Sequence, residues 1–290
     1  MNDDKKYDNA ADFSYPENFL RYLGTSGGRF SMIKQARSTG GIWFRYGGIN
    51  CVVDPGPGSL AQICAAQPAL DSAAIDVVML THKHIDHSTD ANVLIECMTQ
   101  GGFEDRGLLV APQDAMHGSD PVVLKYSQAK AHSTATAEDG MRIELGRGVT
   151  AEPVAHFHHG VDCFGYVFRG PGLPEWGLIS DTKLLPSFSK RYEECSYLSI
   201  NVTFPNRKLR LDHMSIEELR GLLTTLHPKT ATLSHLGAMM TSPEGEKYLR
   251  DLDTPQTKVV PGEDGMIVDL DSLAIYRKIT KPVADKFMML

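Results

Sequence analysis

The chain has 290 residues, of which 42% are hydrophobic and 22% are charged, so it carries enough apolar material for a buried core. Its formal net charge of -7 argues against a nucleic-acid binder that neutralises phosphates over a broad surface. The five cysteines include no CxxC pair, and an odd count is not typical of a secreted disulfide framework. The polar N-terminus and the lack of a long apolar run predict a cytoplasmic protein without a membrane segment.

The predicted elements are mostly strands. Residues 1–18 are polar and predicted to be irregular, and residues 19–290 are predicted to form a single domain, because no repeat or linker divides them. A capping box, Ser215 with Glu218, predicts a helix that ends at Leu226. Strands are predicted, in chain order, at residues 19–23, 41–46, 49–54, 75–80, 108–111, 149–154, 165–168, 176–180 and 230–234. The turn Gly47-Gly48 predicts a hairpin of the strands at 41–46 and 49–54, and a last hairpin is predicted from 257–260 and 266–270.

Three histidines and one aspartate directly follow the apolar run at residues 75–80. They are His82, His84, Asp86 and His87, and the chain has 11 histidines in all, so three within six positions is unusual. Imidazole and carboxylate groups suit a first-row divalent metal. If the preceding strand holds this loop, its side chains can serve two adjacent metal sites. The alternatives are a solvated cluster and a structural zinc site, although no cysteine of the kind that structural zinc prefers lies near.

This segment resembles the HxHxDH signature of the metallo-β-lactamase superfamily, and the resemblance extends from about residue 20 to residue 270. It implies an α+β fold, an αββα four-layer sandwich in which helices flank two mixed β-sheets. It also implies a metal-dependent hydrolase.

The resemblance implies further ligands at the ends of other strands. Asp54 would orient ligands, Asp181 would bridge two metals, and His235 would be the final ligand. The run from His159 to Tyr166 is similar to a stretch of ribonuclease Z, so His159 is the expected lone histidine ligand, while His156 and His158 are expected to support the site or be exposed. One metal would then be held by His82, His84 and His159, and the other by Asp86, His87 and His235.

The implied cofactors are two divalent metal ions per chain. Zinc is preferred, and manganese, iron, cobalt or nickel would also be accepted by these ligands. A hydroxide shared by the two ions would be the nucleophile, and Asp86 would act in catalysis as well as in binding. Two dications outweigh the carboxylates of Asp86 and Asp181 and the hydroxide, so the centre would attract an anion such as a phosphodiester.

His213 resembles the ribonuclease Z position that protonates a leaving oxygen, which predicts a general acid. Arg207, Lys208 and Arg210 lie just upstream and could grip a phosphate. An exposed loop histidine and a solvated basic face are the plainer alternatives.

Two features depart from ribonuclease Z. Asn201 stands where that family has a glutamate supporting the acid histidine, and residues 169–175 leave no room for its long tRNA-holding arm. The chain is also similar to the cyclic phosphate phosphodiesterase of phosphonate breakdown, which lacks the arm, but it has no cysteine cluster like that enzyme's. A small phosphodiester or nucleotide-like substrate is therefore favoured over nucleic acid.

Four other functions stay open on the sequence. The same centre could hydrolyse a lactone, thioester or β-lactam, because the fold does not fix the electrophile. A ribonuclease Z-like endoribonuclease, a di-iron redox protein and a scaffold without activity are the others. The sequence is also compatible with a homodimer.

Overall fold

Two β-sheets make up the centre of the protein. The computed structural model describes residues 13–184 and 190–278. The strands are β1 (Phe19–Tyr22), β2 (Ile42–Tyr46), β3 (Ile49–Val53), β4 (Val77–Met79), β5 (Leu108–Ala111), β6 (Ser133–Thr136), β7 (Ile143–Gly146), β8 (Val149–Ala155), β9 (Phe164–Arg169), β10 (Trp176–Ile179), β11 (Tyr197–Asn201), β12 (Thr230–Ser234), β13 (Lys258–Pro261), β14 (Ile267–Asp269) and β15 (Ile275–Tyr276).

The helices are short apart from two that cover the sheets. The α-helices are Arg29–Lys34, Ser59–Cys64, Ile85–Ser88, Ala91–Met98, Gln113–Met116, Lys125–Gln128 and Ile216–Leu226, and the 3-10 helices are Ser72–Ala74, Gln100–Gly102, Lys190–Tyr192 and Pro243–Leu249. Within residues 13–184 and 190–278, none of the helices has the length and apolar character needed to cross a membrane.

Both sheets are mixed. The first has the strand order β15-β14-β1-β2-β3-β4-β5-β6 and the second β13-β12-β11-β10-β9-β8-β7. Strands β3 to β6 run parallel in the first sheet, and β10 to β13 run parallel in the second. The carboxyl ends of parallel neighbours meet at one edge of a sheet, so residues that follow these strands are brought together there.

The hairpin of β2 and β3 was predicted from its turn residues, and the structure confirms it. Gly47 and Gly48 both have positive φ, 57° and 76°, which is the requirement of the two-residue turn that matches strand twist. Tyr46 pairs with Ile49 across this turn. The hairpin delivers Asp54 to the end of β3.

Three apolar clusters produce the four layers. Between the sheets, the rings of Phe168 and Trp176 stack with centroids 4.2 Å apart, and Phe44 packs edge-on against both. Helix Ala91–Met98 buries its apolar residues in the cluster on the outer face of the first sheet, and helix Ile216–Leu226 does so on the second. The predicted αββα sandwich is therefore confirmed.

Helix Ile216–Leu226 begins and ends where the sequence predicted. The hydroxyl of Ser215 accepts a bond from the amide of Glu218 at 3.3 Å, and the Glu218 carboxylate accepts one from the amide of Ser215 at 3.1 Å. These reciprocal bonds satisfy amides that the first helical turn leaves unpaired. The cap fixes the chain just after His213.

The predicted final hairpin is wrong. Strand β13 pairs with β12 in the second sheet, whereas β14 pairs with β1 and β15 in the first. The turn between them passes from one sheet to the other, and Asp264 in that turn accepts bonds from the amides of Thr25 and Ser38, at 2.9 and 2.7 Å. Long-range contacts therefore override the local hairpin pattern.

Residues 1–12 of the predicted irregular segment, and residues 279–290 of the predicted domain, lie outside the described residues. Residues 13–18 form neither helix nor strand. Tyr15 nevertheless stacks on Phe19 with ring centroids 4.3 Å apart, and its hydroxyl accepts a bond from Arg21 at 2.6 Å.

Candidate metal centre

The candidate site lies at the carboxyl ends of strands from both sheets. Asp54 follows β3, His82 comes three residues after β4, Asp181 follows β10 by two residues, and His235 directly follows β12. These histidines and carboxylates therefore lie on one edge of the sandwich.

Three histidines form the first group of ligand atoms. Nitrogen atoms of His82, His84 and His158 lie within 4.8 Å of one another. His82 Nε2 is buried and makes no hydrogen bond within the part of the chain that the structure describes. The Nδ1 of His158 lies 2.7 Å from the carbonyl oxygen of Asp212, to which it must donate, so His158 Nε2 presents a lone pair. That atom lies 3.0 Å from His84 Nδ1.

The predicted ligand His159 does not join this group. Its ring centroid lies 6.2 Å from that of His84, and its side chain is about a third exposed. Its amide donates to Asp212 Oδ2 at 3.0 Å, and its ring nitrogen lies within 4.8 Å of nitrogens of His158 and His213. The chain turns here, with φ at 45° for His159 and a bond from the amide of Val161 to the carbonyl of His158. Neighbouring side chains therefore diverge, and the structure brings His158 to the other two histidines instead.

The second group comprises Asp86, His87 and His235. Nε2 of His87 is buried without a hydrogen bond among the described residues, and it lies 3.9 Å from Asp86 Oδ2. Nε2 of His235 lies 3.4 Å from the same oxygen. A buried imidazole nitrogen that faces carboxylate oxygens without bonding to them is the arrangement expected around a cation.

Asp181 stands between the two groups. Its Oδ2 lies 3.2 Å from His235 Nε2, 3.5 Å from His87 Nε2 and 3.6 Å from His158 Nε2. The side-chain amide of Asn201 donates to Oδ1 at 2.9 Å, which leaves Oδ2 directed at the histidines. Asp181 is thus the carboxylate that lies close to histidines of both groups.

Asp54 accepts hydrogen bonds from Thr81 and His87. Its Oδ1 accepts a bond from the amide of Thr81 at 2.7 Å, and its Oδ2 accepts from the Thr81 hydroxyl at 2.7 Å and from His87 Nδ1 at 2.9 Å. Because Nδ1 of His87 is the donor in this bond, its Nε2 can carry the lone pair that a metal requires.

Burial and charge prepare these groups as ligands. Burial lowers the pKa of His82 well below its usual value and that of His84 to about 4, so both rings are neutral at pH 7. Burial alone would raise the pKa of Asp181, but His235, His87 and His213 outweigh it and hold that pKa well below the usual range. Burial alone would lower the pKa of His87, but Asp54, Asp181 and Asp86 outweigh it and raise that pKa. The neutral rings of His82 and His84 and the ionised Asp181 are ligand types that suit divalent metal ions.

A family model described as a β-lactamase superfamily domain matches residues 50–236. The chain belongs to the β-lactamase superfamily. It is 27% identical over 255 residues to an uncharacterized protein of Methanocaldococcus jannaschii, covering 86% of this chain and 94% of that one. It is also 27% identical over 163 residues to the ribonuclease Z of Methanopyrus kandleri, covering 54% and 52% of the two chains.

Solved structures share the fold of this superfamily member. The metallo-β-lactamase fold protein YhfI from Bacillus subtilis gives a TM-score of 0.69 at 18% identity, covering 87% of this chain and 99% of that one. A diphosphatase from the PhnP family gives a TM-score of 0.64 at 17% identity, covering 87% and 97%. Membership implies a metal-dependent hydrolase, and the clusters above supply histidine and aspartate ligands for a divalent metal.

His213 lies beside the centre of this β-lactamase superfamily protein. Its Nδ1 is 3.5 Å from Asp181 Oδ2 and 3.1 Å from the hydroxyl of Thr203, which is itself 2.9 Å from His235 Nδ1. Burial lowers the pKa of His213 to about 3. The side chain that contacts His213 is therefore Thr203. Asn201 is bonded to Asp181 instead.

A groove beside His213 contains part of the predicted basic run. Arg207 and Lys208 line it, and Arg207 also pairs with Glu218 at 3.4 Å. Arg210 is exposed and is not among the lining residues. Lys183 lines the groove as well, although no sequence pattern indicated it.

Other site residues were also missed from the sequence. The amide of Gly28 donates to Asp86 Oδ2 at 2.9 Å, and Gly27 adjoins the ring of His235. Their signal was a glycine-rich turn, which reveals local geometry but not the distant partner. His156, expected to support the site or be exposed, is buried with its Nε2 3.2 Å from the Tyr192 hydroxyl.

Proposed function

We propose that the protein is a phosphodiesterase that uses two divalent metal ions. The observation that carries the proposal is the cation-lined groove, containing Lys183, Arg207 and Lys208, that opens onto His213 beside the metal-ligand groups. Such a groove attracts an anionic ester more strongly than a neutral one.

The residues that would hold the ions follow from the two groups. One ion would take His82, His84 and His158, the other would take Asp86, His87 and His235, and Asp181 would contact both. Zinc suits these nitrogen and oxygen ligands, and other divalent ions of the first row would also be accepted. When bound, the ions supply Lewis-acid activation of water and of a phosphoryl oxygen.

Thr203 would set the tautomer of His213. As a ligand through Nε2, His235 must carry its proton on Nδ1 and donate it to Thr203 Oγ1. The Thr203 hydroxyl then has its own proton free for Nδ1 of His213, 3.1 Å away. His213 is thereby left neutral with its proton on Nε2, and a hydrogen bond from that atom can stabilise the charge that develops on the leaving oxygen.

The relatives support phosphate-ester chemistry and differ in substrate size. The names ribonuclease Z and diphosphatase both describe proteins that act on phosphate esters or anhydrides. In this chain β9 ends at Arg169 and β10 begins at Trp176, so this connection provides no long arm of the ribonuclease Z kind. A small or nucleotide-like diester is the preferred substrate, and a ribonuclease Z-like activity is the second candidate because of the Methanopyrus relative.

Hydrolysis by the metal-loaded protein tests the proposal directly. We expect turnover of bis-p-nitrophenyl phosphate, a cyclic nucleotide or short RNA, abolished by a chelator and restored by zinc or manganese. Failure on all three while nitrocefin or an acyl-homoserine lactone is hydrolysed would replace the phosphodiesterase with a carbon-centred hydrolase.

A leaving-group comparison tests His213. A nucleoside alkoxide concentrates more negative charge on the leaving oxygen than p-nitrophenolate does, so His213→Ala should lower kcat about a hundredfold on a dinucleoside phosphate and less than about fivefold on bis-p-nitrophenyl phosphate. The control is His132→Ala, because His132 is exposed and pairs with Asp105. Equal losses on both substrates would contradict stabilisation of the leaving oxygen by His213.

A further inference from the structure

Lys183 lies in a backbone segment that borders the candidate metal centre. It lies two residues after Asp181, and its amide donates to the carbonyl of Phe157 at 3.1 Å. The amide of Phe157 in turn donates to the Thr182 hydroxyl at 3.2 Å. The segment that carries Lys183 is therefore bonded to the segment that carries His158, which holds the two segments side by side.

The ammonium group of Lys183 is held over an aromatic ring. Its Nζ lies 4.5 Å from the ring centroid of Phe157, which is about half exposed. A cation over a ring face is attracted to the ring electrons but keeps its full positive charge. Within residues 13–184 and 190–278, no carboxylate forms an ion pair with Lys183, whereas Arg207 in the same groove pairs with Glu218. Lys183 thus keeps a charge that a substrate anion can use.

The rest of the groove is suited to an organic group. Leu209 and Leu211 line it together with Lys183 and His213, and they are 87% and 41% exposed. Glu218 also lines the groove, and its carboxylate pairs with Arg207. Exposed apolar side chains beside a cation suit a ligand that joins an anionic group to an apolar one. Inorganic anions alone would gain nothing from the leucines.

We propose that Lys183 binds an anionic oxygen of the substrate's phosphodiester and so selects a charged diester over a neutral ester, with the ester's apolar half against Leu209 and Leu211. The inference rests on the proposed function, because it assigns the anion as the scissile phosphodiester. It adds a specificity-determining residue that is neither a metal ligand nor part of the basic run at Arg207 to Arg210.

Two substrates with the same leaving group provide the test. Bis-p-nitrophenyl phosphate is an anion and p-nitrophenyl acetate is neutral, and both release p-nitrophenolate. We expect Lys183→Ala to lower kcat/KM about tenfold or more on the phosphate, mainly through KM, and to leave metal-dependent hydrolysis of the acetate within twofold. Lys183→Arg should restore most of the loss because it keeps the charge.

The matched control is Lys247→Ala. Lys247 is exposed and also lies over an aromatic ring, that of Tyr248 at 5.0 Å, but it does not line the groove. Its replacement should change neither substrate. Equal losses on both substrates with Lys183→Ala, or no loss on the phosphate, would overturn the inference.

Calorimetric titration of the metal-loaded protein with inorganic phosphate separates this inference from the proposed function. If the unaltered protein hydrolyses diesters and Lys183→Ala changes neither turnover nor phosphate affinity, Lys183 is not the anion site and the function stands. If diesters are not hydrolysed but Lys183→Ala still weakens phosphate binding about tenfold, the anion site stands and the phosphodiesterase does not.

Discussion

Replacing His158 with alanine is expected to remove one of two bound metal equivalents and to lower hydrolysis by at least about a hundredfold. The variant removes the imidazole whose Nε2 lies 3.0 Å from His84 Nδ1 and 3.6 Å from Asp181 Oδ2. Even residues that merely support metal ligands are worth about 10–100-fold, so the loss of a ligand should exceed that range. Metal analysis of the purified variant, together with kcat/KM on a diester, measures both effects.

The neighbouring His159→Ala variant is the matched control. Its imidazole lies outside the first metal group, and its amide bond to Asp212 does not depend on the side chain. We expect it to keep both metal equivalents. Loss of metal from His159→Ala and retention by His158→Ala would contradict the arrangement described for this loop.

A single methyl group at Gly27 is expected to have an effect of similar size. A Cβ built there would lie within 3.0 Å of the ring of His235, closer than packed atoms approach. A shift of Gly27 away from the ring would weaken the bond from its amide to the carbonyl of Leu236, 3.2 Å away. His235 must therefore move, and a displacement of about 1 Å at a catalytic site costs on the order of a hundredfold in rate.

Gly221→Ala is the control for the added methyl group. Gly221 lies within helix Ile216–Leu226, and a Cβ there would meet nothing within 4 Å. Gly27→Ala should lose metal from the second group and activity, while Gly221→Ala should keep both and gain slightly in stability. If Gly27→Ala retains full metal content and activity, the ring of His235 does not occupy a fixed ligand position.

The positions at strand ends could be predicted from the sequence. An apolar strand that precedes His82, and others that precede Asp181 and His235, are local signals, and parallel strands bring their carboxyl ends to one edge. The capping box at Ser215 and the glycine turn after Tyr46 are also local, since each depends on bonds within a few residues.

The choice between His158 and His159 could not be predicted locally. Both lie on the same loop, and the ring of His158 is directed by the carbonyl of Asp212, 54 positions further along the chain. Gly27 and Lys183 could not be predicted for the same reason, because the role of each depends on contacts with residues of another segment. The error at the last hairpin has this origin too: β13 and β14 find their partners in different sheets.

Metal analysis of the protein, purified without chelators, tests the central claim most directly. The two groups, joined by Asp181, predict about two equivalents of divalent metal per chain and loss of hydrolysis when they are removed. A protein that binds less than one equivalent under saturating zinc or manganese, or that hydrolyses its substrate equally well after complete removal of metal, would contradict the account.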